Sequence, residues 1–252
     1  MHWVLAFLLL LAGCRKAEPA PLSAITKADQ SPCRSVLFEG SRFTVCSAAG
    51  LKLELAVAGR DGRAYRSFPA LEHVLGGRAA QVAFAMNAGM FDTDGLPIGL
   101  AVSEGRKLHA LNQRDGSGNF HLKPNGVFLV RDDGSSAIVP TPRYGHEAGV
   151  RLATQSGPML VIDGAVNPLF DADGRSRFVR NGVGVNRSGE PIFVISDEAV
   201  SFGKLARLFR QQLHCPDALY LDGSVSSLWD PANGRMDSFS ALGPMIVALR
   251  HR

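Results

Sequence analysis

Residues 218–229 read ALYLDGSVSSLW, a short apolar run that ends in a carboxylate and is followed by a glycine and three serines. The apolar run 218–221 has the character of a buried strand. Asp222 then stands at its carboxyl end, where open α/β sheets commonly gather their ligands. Asp-Gly is also a strong turn dipeptide, and the chain holds six others, at Asp61, Asp94, Asp115, Asp133, Asp163 and Asp173. On pattern alone Asp222 is either a hairpin turn or a strand-end acid, with the turn ahead.

Outward from this stretch, residues 43–46 and 51–57 read as strands. In the second, Leu51, Leu53, Leu55 and Val57 alternate with Lys52, Glu54 and Ala56, as on a half-buried sheet. Short apolar runs at 82–86, 98–102, 127–130, 159–162, 183–185, 192–195 and 245–249 are separated by turn residues and predict further strands. Two helices are expected. Residues 67–75 carry Pro69 in the first turn and end at Gly76-Gly77, and residues 203–214 place Leu205, Leu208, Phe209 and Leu213 on one face before Cys215-Pro216. Many strands and few helices predict an α+β fold, a single domain built on a large mixed β-sheet.

Composition supports one sizeable core: of 252 residues, 46% are hydrophobic and 20% charged, which excludes a disordered chain. The net charge is +4, but the basic residues are scattered singly or in pairs, so no nucleic-acid partner is expected. Residues 4–11 form an unbroken apolar run leading into Leu11-Ala-Gly-Cys14, which resembles the lipobox of bacterial lipoproteins. That resemblance implies a signal peptide over 1–13, lipidation of Cys14, a flexible tether over 14–32 and a domain over 33–252. The expected location is the periplasmic side of a bacterial cell envelope, with the lipid anchor as the sole membrane contact. An ordinary cleaved signal is the alternative, and both readings export the protein. Export puts Cys33, Cys46 and Cys215 in an oxidising compartment. Cys33 and Cys46 flank one extended stretch and are expected to be bridged, although pairing of Cys215 with either remains open on sequence.

Several familiar motifs fail. Asp92-x-Asp94-Gly95 and Asp171-x-Asp173-Gly174 begin like calcium loops but lack the spacing and terminal Glu of an EF-hand. No His-x-x-x-His pair, Walker sequence, full dinucleotide fingerprint or Gly-x-Ser-x-Gly elbow is present. No metal site or cofactor is predicted, with a divalent metal left open.

Five segments in order resemble the phosphodiester glycosidase family. They are Ala85-Met-Asn87-Ala-Gly89-Met-Phe91 with Gly95-x-Pro97; Asn112-x-Arg114-Asp115-Gly116-x-Gly118-Asn119-Phe120 leading to Lys123-Pro-Asn125-Gly126; Gln155-Ser156-Gly157-Pro158 with Asp163-Gly164; Arg180-Asn-Gly-Val-Gly184 followed by Ser196-Asp197; and the stretch around Asp222. Together they span residues from about 38 to 249. The chain departs from the family pattern where Asn87-Ala-Gly-Met-Phe91 replaces Asn-Gly-Gly-Phe-Phe. It departs again where Ser224 and Val225 replace two glycines after Asp222-Gly223, which would narrow or reshape a pocket.

The resemblance implies cleavage of a glycosidic bond in a sugar-1-phosphodiester or related envelope glycan, with carbohydrate or sugar-phosphodiester as the partner. Such chemistry needs one carboxyl to protonate the leaving oxygen and a second group to activate water or stabilise the transition state. Asp222 and Asp197 are the expected pair, and Arg180 is expected to hold the phosphate by a bidentate fork. Asn87, Gly89, Phe91, Arg114, Gln155, Ser156, Gly157, Gly223, Ser226 and Ser227 are the expected substrate-binding residues. A non-catalytic envelope lipoprotein that binds glycan or assists polysaccharide assembly is the alternative.

Overall fold

The computed structural model describes residues 30–145 and 148–251. Cys14, the expected signal peptide and nearly all of the expected tether lie outside the described residues. The chain opens with β1 (Cys33–Phe38), β2 (Ser41–Ser47), β3 (Lys52–Ala56) and helix α1 (Phe68–Leu75). Next come β4 (Val82–Asn87), β5 (Ala101–Ser103), β6 (Arg106–His109), β7 (Gly126–Arg131), β8 (Ser136–Pro140) and β9 (Val150–Ser156). The second half holds β10 (Met159–Ile162), β11 (Ala165–Val166), β12 (Asn181–Val185), β13 (Pro191–Ser196) and helix α2 (Phe202–Arg207). It closes with β14 (Asp217–Tyr220), β15 (Leu228–Asp230), β16 (Arg235–Met236) and β17 (Met245–Leu249).

The α+β class holds, but the strands divide among three sheets rather than one. A seven-stranded sheet runs β1-β2-β13-β12-β14-β10-β11, a five-stranded sheet β16-β15-β4-β17-β3, and a second five-stranded sheet β6-β5-β9-β7-β8. The pairings within them are antiparallel, so the mixed sheet expected from sequence is corrected to antiparallel ones. Each sheet sends a phenylalanine to a common centre: Phe84 from β4, Phe128 from β7 and Phe193 from β13 are fully buried. The ring centroids of Phe84 and Phe128 lie 5.5 and 5.7 Å from that of Phe193, within the range of favourable aromatic packing. That shared core covers one face of β4, β12 and β17; the other face is covered by a cluster with Phe68 and Trp229 for β4 and β17, and by Phe209 and Cys215 for β12, so all three strands are buried at every position. Their sequences read as continuous apolar runs instead of alternating ones.

Local chemistry sets the ends of the elements. The Ser67 hydroxyl accepts from the Ala70 N–H at 3.3 Å and caps α1, with Pro69 in the first turn. Ser201 caps α2 in the same way through the Lys204 N–H at 3.1 Å. The expected 203–214 helix is shorter than its pattern, because after Arg207 it widens into a π-type turn at Leu208–Gln212. Glu39 and Gly40 both have positive φ and form the tight turn between β1 and β2, in which Cys33 pairs directly with Cys46 and is joined to it by the expected disulfide. Cys215 is free and buried.

Candidate functional site

Three chain segments from two sheets converge behind one cleft: the end of β4, the start of β12 and the loop that follows β14. Asn87, the last residue of β4, donates through Nδ2 to the Asp222 carbonyl at 2.7 Å and accepts through Oδ1 from the Ser227 N–H at 2.9 Å. Asn181, the first residue of β12, donates to the same Asn87 Oδ1 at 2.9 Å. Its own Oδ1 is 3.1 Å from the Ser226 hydroxyl, which also lies 3.1 Å from the Val179 carbonyl. The Asp222 N–H donates to the Ala88 carbonyl at 3.0 Å. The two buried amides therefore staple both ends of the 222–227 loop to the ends of two sheets.

Within that loop Asp222 is not a hairpin turn. Gly62, Gly95, Gly134 and Gly164 of the other Asp-Gly pairs have the positive φ of turn glycines, whereas Gly223 does not. Gly223 is glycine for a different reason: a methyl group on its Cα would overlap the Tyr220 hydroxyl. The Asp222 carboxylate is 8% exposed and accepts from the Ser224 N–H at 3.1 Å. It forms no ion pair among the described residues. Burial raises its pKa, and the Ser224 hydrogen bonds oppose the rise. A carboxyl in this setting holds its proton to higher pH than an exposed one.

Arg180 is almost wholly buried, at 1% exposure. Its Nε donates to the Val200 carbonyl at 2.9 Å, Nη2 to the Ser176 carbonyl and hydroxyl at 3.0 Å each, and Nη1 to the Tyr220 hydroxyl at 3.1 Å. The guanidinium lies 3.6 Å from the Phe202 ring centroid. Burial lowers its pKa, and Tyr220 opposes the change. No carboxylate pairs with it among the described residues. The fork expected to hold a phosphate is thus occupied by the protein, and Arg180 reaches toward the cleft through Tyr220.

The cleft has a volume of about 890 Å³ and is bordered by Tyr220, the 223–227 loop, Phe178, Val179, Asp197, Arg235 and Asp237, with Phe239 and Ser240 at its rim. Asp197 accepts from the Thr44 hydroxyl at 3.0 Å and lies 3.6 Å from Arg235 Nη1. Arg235 also grips Asp237, with Nη2 2.8 Å from Oδ2. Burial works against the Arg235 charge, but Asp237 and Asp197 outweigh it and the pKa is raised. One wall is therefore a carboxylate–guanidinium–carboxylate ladder. Phe178 and Phe239, 60% and 89% exposed, add an apolar lip.

Of the residues expected from sequence, Asp197, Gly223, Ser226 and Ser227 border the cleft, while Asn87, Arg180 and Asp222 lie directly behind it. The others belong to a scaffold that joins β4 to the second five-stranded sheet. Gln155 accepts from the Leu100 and Asn112 N–H groups at 2.9 Å each and donates to the Asn112 carbonyl at 2.6 Å and the Thr141 hydroxyl at 3.2 Å. Its hydrogen-bonding capacity is fully used. Any side chain at Gly89 would overlap the Gln155 carbonyl, and one at Gly157 would press on Asn125 at 2.5 Å. Arg114 bonds to Asn112, Phe91 packs on Gly243 beneath the Arg66 guanidinium, and the Ser156 hydroxyl is buried without a partner among the described residues. Sequence reasoning did not single out Tyr220, Asn181, Arg235 or Asp237. Tyr220 had a signal, since it stands two residues before Asp222 and alternation along an extended chain sends both side chains to one side. Among the described residues no cluster of three or more His, Cys, Asp or Glu side chains is placed to hold a metal ion.

Comparison with known proteins places this geometry. The family model described as phosphodiester glycosidase matches residues 80–236. An uncharacterised protein of Escherichia coli K12, YigE, is 38% identical over 149 residues, which make up 59% of this chain and 58% of the relative, less than two thirds of its length. The catalytic domain of zebrafish N-acetylglucosamine-1-phosphodiester alpha-N-acetylglucosaminidase, solved in a form auto-inhibited by its pro-peptide, superposes with a TM-score of 0.60 at 15% identity. That match covers 87% of this chain and 82% of the zebrafish chain. A hypothetical protein from Synechocystis superposes with a TM-score of 0.51 at 19% identity, covering 86% of this chain and 61% of that one. At these identities the two structures establish a shared fold.

Proposed function

The chain belongs to the phosphodiester glycosidase family, and on that premise we propose that it is an exported hydrolase that cleaves the glycosidic bond of a sugar-1-phosphodiester or a related envelope glycan. The observation that carries the reading is the buried Asp222 carboxyl at the back of the cleft, raised in pKa and bonded by the Ser224 N–H, on a backbone that Asn87 pins through the Asp222 carbonyl. A proton held there is available to a departing oxygen or can be taken up from an attacking water. Asp197, on the opposing ladder with Thr44 and Arg235, is the second carboxylate of the pair. The cleft's volume suits a sugar with a substituent, and its aromatic lip offers a face for a sugar ring. The Cys33–Cys46 disulfide supports the exported, envelope location, since such bonds persist in oxidising compartments. A lipid on Cys14 would hold the domain at the membrane, and mass spectrometry of the mature N-terminus tests that part.

The test of the activity is a panel of sugar-1-phosphodiesters and neutral aryl glycosides offered to the purified full chain, with released sugar as the readout. Release from the phosphodiesters supports the proposal. Saturable binding without release supports the second reading, a glycan-binding envelope protein, which is favoured by one observation: Ser224 and Val225 border the cleft where the family pattern has glycines.

A further inference from the structure

The Tyr220 hydroxyl stands at a position the chain has arranged in several ways at once. Its ring meets Phe202 edge-on, with centroids 4.7 Å apart, and is 2% exposed. Its oxygen accepts from Arg180 Nη1 at 3.1 Å, and the Gly223 backbone lies so close that only glycine fits there. A phenol oxygen that accepts still has one proton to donate. Among the described residues that proton has no acceptor, yet Tyr220 borders the cleft. A buried donor left unmatched is costly, and a native fold retains one where a ligand or water completes it.

The charge behind it points to what the ligand must be. Arg180 is a buried cation with no carboxylate partner among the described residues, balanced by carbonyls, hydroxyls and the rings of Phe202, Phe178 and Tyr220. Buried charges are ordinarily paired. The open direction in this site runs from the guanidinium through the Tyr220 hydroxyl into the cleft, and donation from a charged group polarises the O–H that follows it. We infer that Tyr220 is the donor that receives an anionic phosphoryl oxygen of the ligand, and that Arg180 is its positioning residue rather than a direct phosphate ligand. Tyr220 keeps its proton throughout: it contributes a hydrogen bond to the anion that departs from the sugar, and burial, which raises its pKa, keeps the phenol neutral. This deepens the glycosidase reading and rests on it for the identity of the substrate. The anion-binding claim stands separately.

Two arms keep the claims apart. In the first, inorganic phosphate is titrated calorimetrically into the wild-type full chain, Y220F, R180K and the Y220F/R180K double variant. Y220F keeps the ring and its contact with Phe202 and is expected to weaken phosphate binding at least about 10-fold, in line with the loss of one hydrogen bond to a charged group. R180K keeps a charge but cannot reproduce the four hydrogen bonds, and the double variant is expected to lose no more than about 2-fold beyond Y220F alone, because the two residues act as one unit. Phosphate bound equally by wild type and Y220F, or by neither, overturns the inference, as does full additivity of the two losses. In the second arm, Y220F is expected to lower kcat/KM for sugar-1-phosphodiesters about 10²-fold while changing neutral aryl glycosides less than about 3-fold. Equal losses on both substrate classes contradict an anion-specific role. If the wild type turns over no phosphodiester but phosphate binding still depends on Tyr220, the glycosidase reading fails and the anion site remains.

Discussion

A carboxyl that burial has raised in pKa leaves a signature in stability as well as in chemistry. Over the pH range in which the unfolded chain has lost the Asp222 proton and the folded chain still holds it, the native state binds more protons, so stability falls as pH rises through that window. Asp222→Asn retains an acceptor for the Ser224 N–H and removes the titration. The variant is expected to be at least as stable as wild type near pH 7, and the difference should shrink toward about pH 4, near the unfolded carboxylate pKa. Urea midpoints across that range check it, and a difference that grows toward low pH would contradict the assignment. At this scale the sequence was partly legible. Asp222 was readable from its place after an apolar run, and Asp197 from its motif. Tyr220 carried only its two-residue spacing from Asp222, since a tyrosine in an apolar strand otherwise reads as core, and Asn181 carried nothing, since an asparagine beside an arginine reads as its neighbour. What makes each of them part of a site is a hydrogen bond to a residue tens of positions away.

Among the elements, the 222–227 loop owes its shape to strands that precede it by many residues. Asn87 bonds the Asp222 carbonyl and the Ser227 N–H, both in buried surroundings; Asn87→Ala strands the Ser227 N–H and leaves the Asp222 carbonyl with the 3.3 Å bond from the Val225 N–H. The stranded donor costs about 1–3 kcal/mol and the lost bond to the carbonyl about 1, so the variant is expected to lose about 2–4 kcal/mol in urea unfolding. Asn87→Asp should lose less than the alanine variant, because an acceptor for Ser227 remains. A loss under about 1 kcal/mol for the alanine variant would mean that the loop is held by other contacts. The interior strands β4, β7, β12, β13 and β17 were legible because burial on both faces fills their middles with apolar residues, interrupted by glycine in β12. β6 and β8 were not: β6 is largely exposed, β8 is buried at one position only, and each pairs along one edge, so their sequences carry little of the core's pattern. β9 was missed for another reason. Thr154 and Gln155 are polar and yet buried, engaged in bonding Gly89, Leu100 and Asn112.

For the molecule as a whole, the single-domain α+β class was legible from the count and order of runs, while the division into three sheets was not. Sheet membership depends on which strands pair across long separations, as β2 does with β13, and periodicity within one strand says nothing of its partner. The disulfide was readable from the expected oxidising location and the extended stretch between its cysteines. It closes a separation of 13 residues, and a loop of that size contributes roughly 3 kcal/mol on the chain-entropy model. Burial pushes the Cys215 thiol up to about 12, so it should not react in the native protein near neutral pH. With Cys14 lipidated as proposed, thiol counting on the mature protein should find none reactive when native and one when denatured without reductant. Three under the latter condition would remove the bridge.

Asp222 is placed by its strand and set at the back of the cleft, its carbonyl held by Asn87, which Asn181 from a second sheet holds in turn. The most direct measurement is the rate of sugar release from a sugar-1-phosphodiester by the full chain and by Asp222→Asn, with thermal unfolding and substrate binding followed on the same samples. The variant is predicted to unfold at or above the wild-type temperature, to bind substrate nearly as well, and to lose about 10²- to 10⁴-fold in turnover. Wild-type turnover in the folded variant, or saturable binding by the wild type with no sugar released, would contradict the assignment.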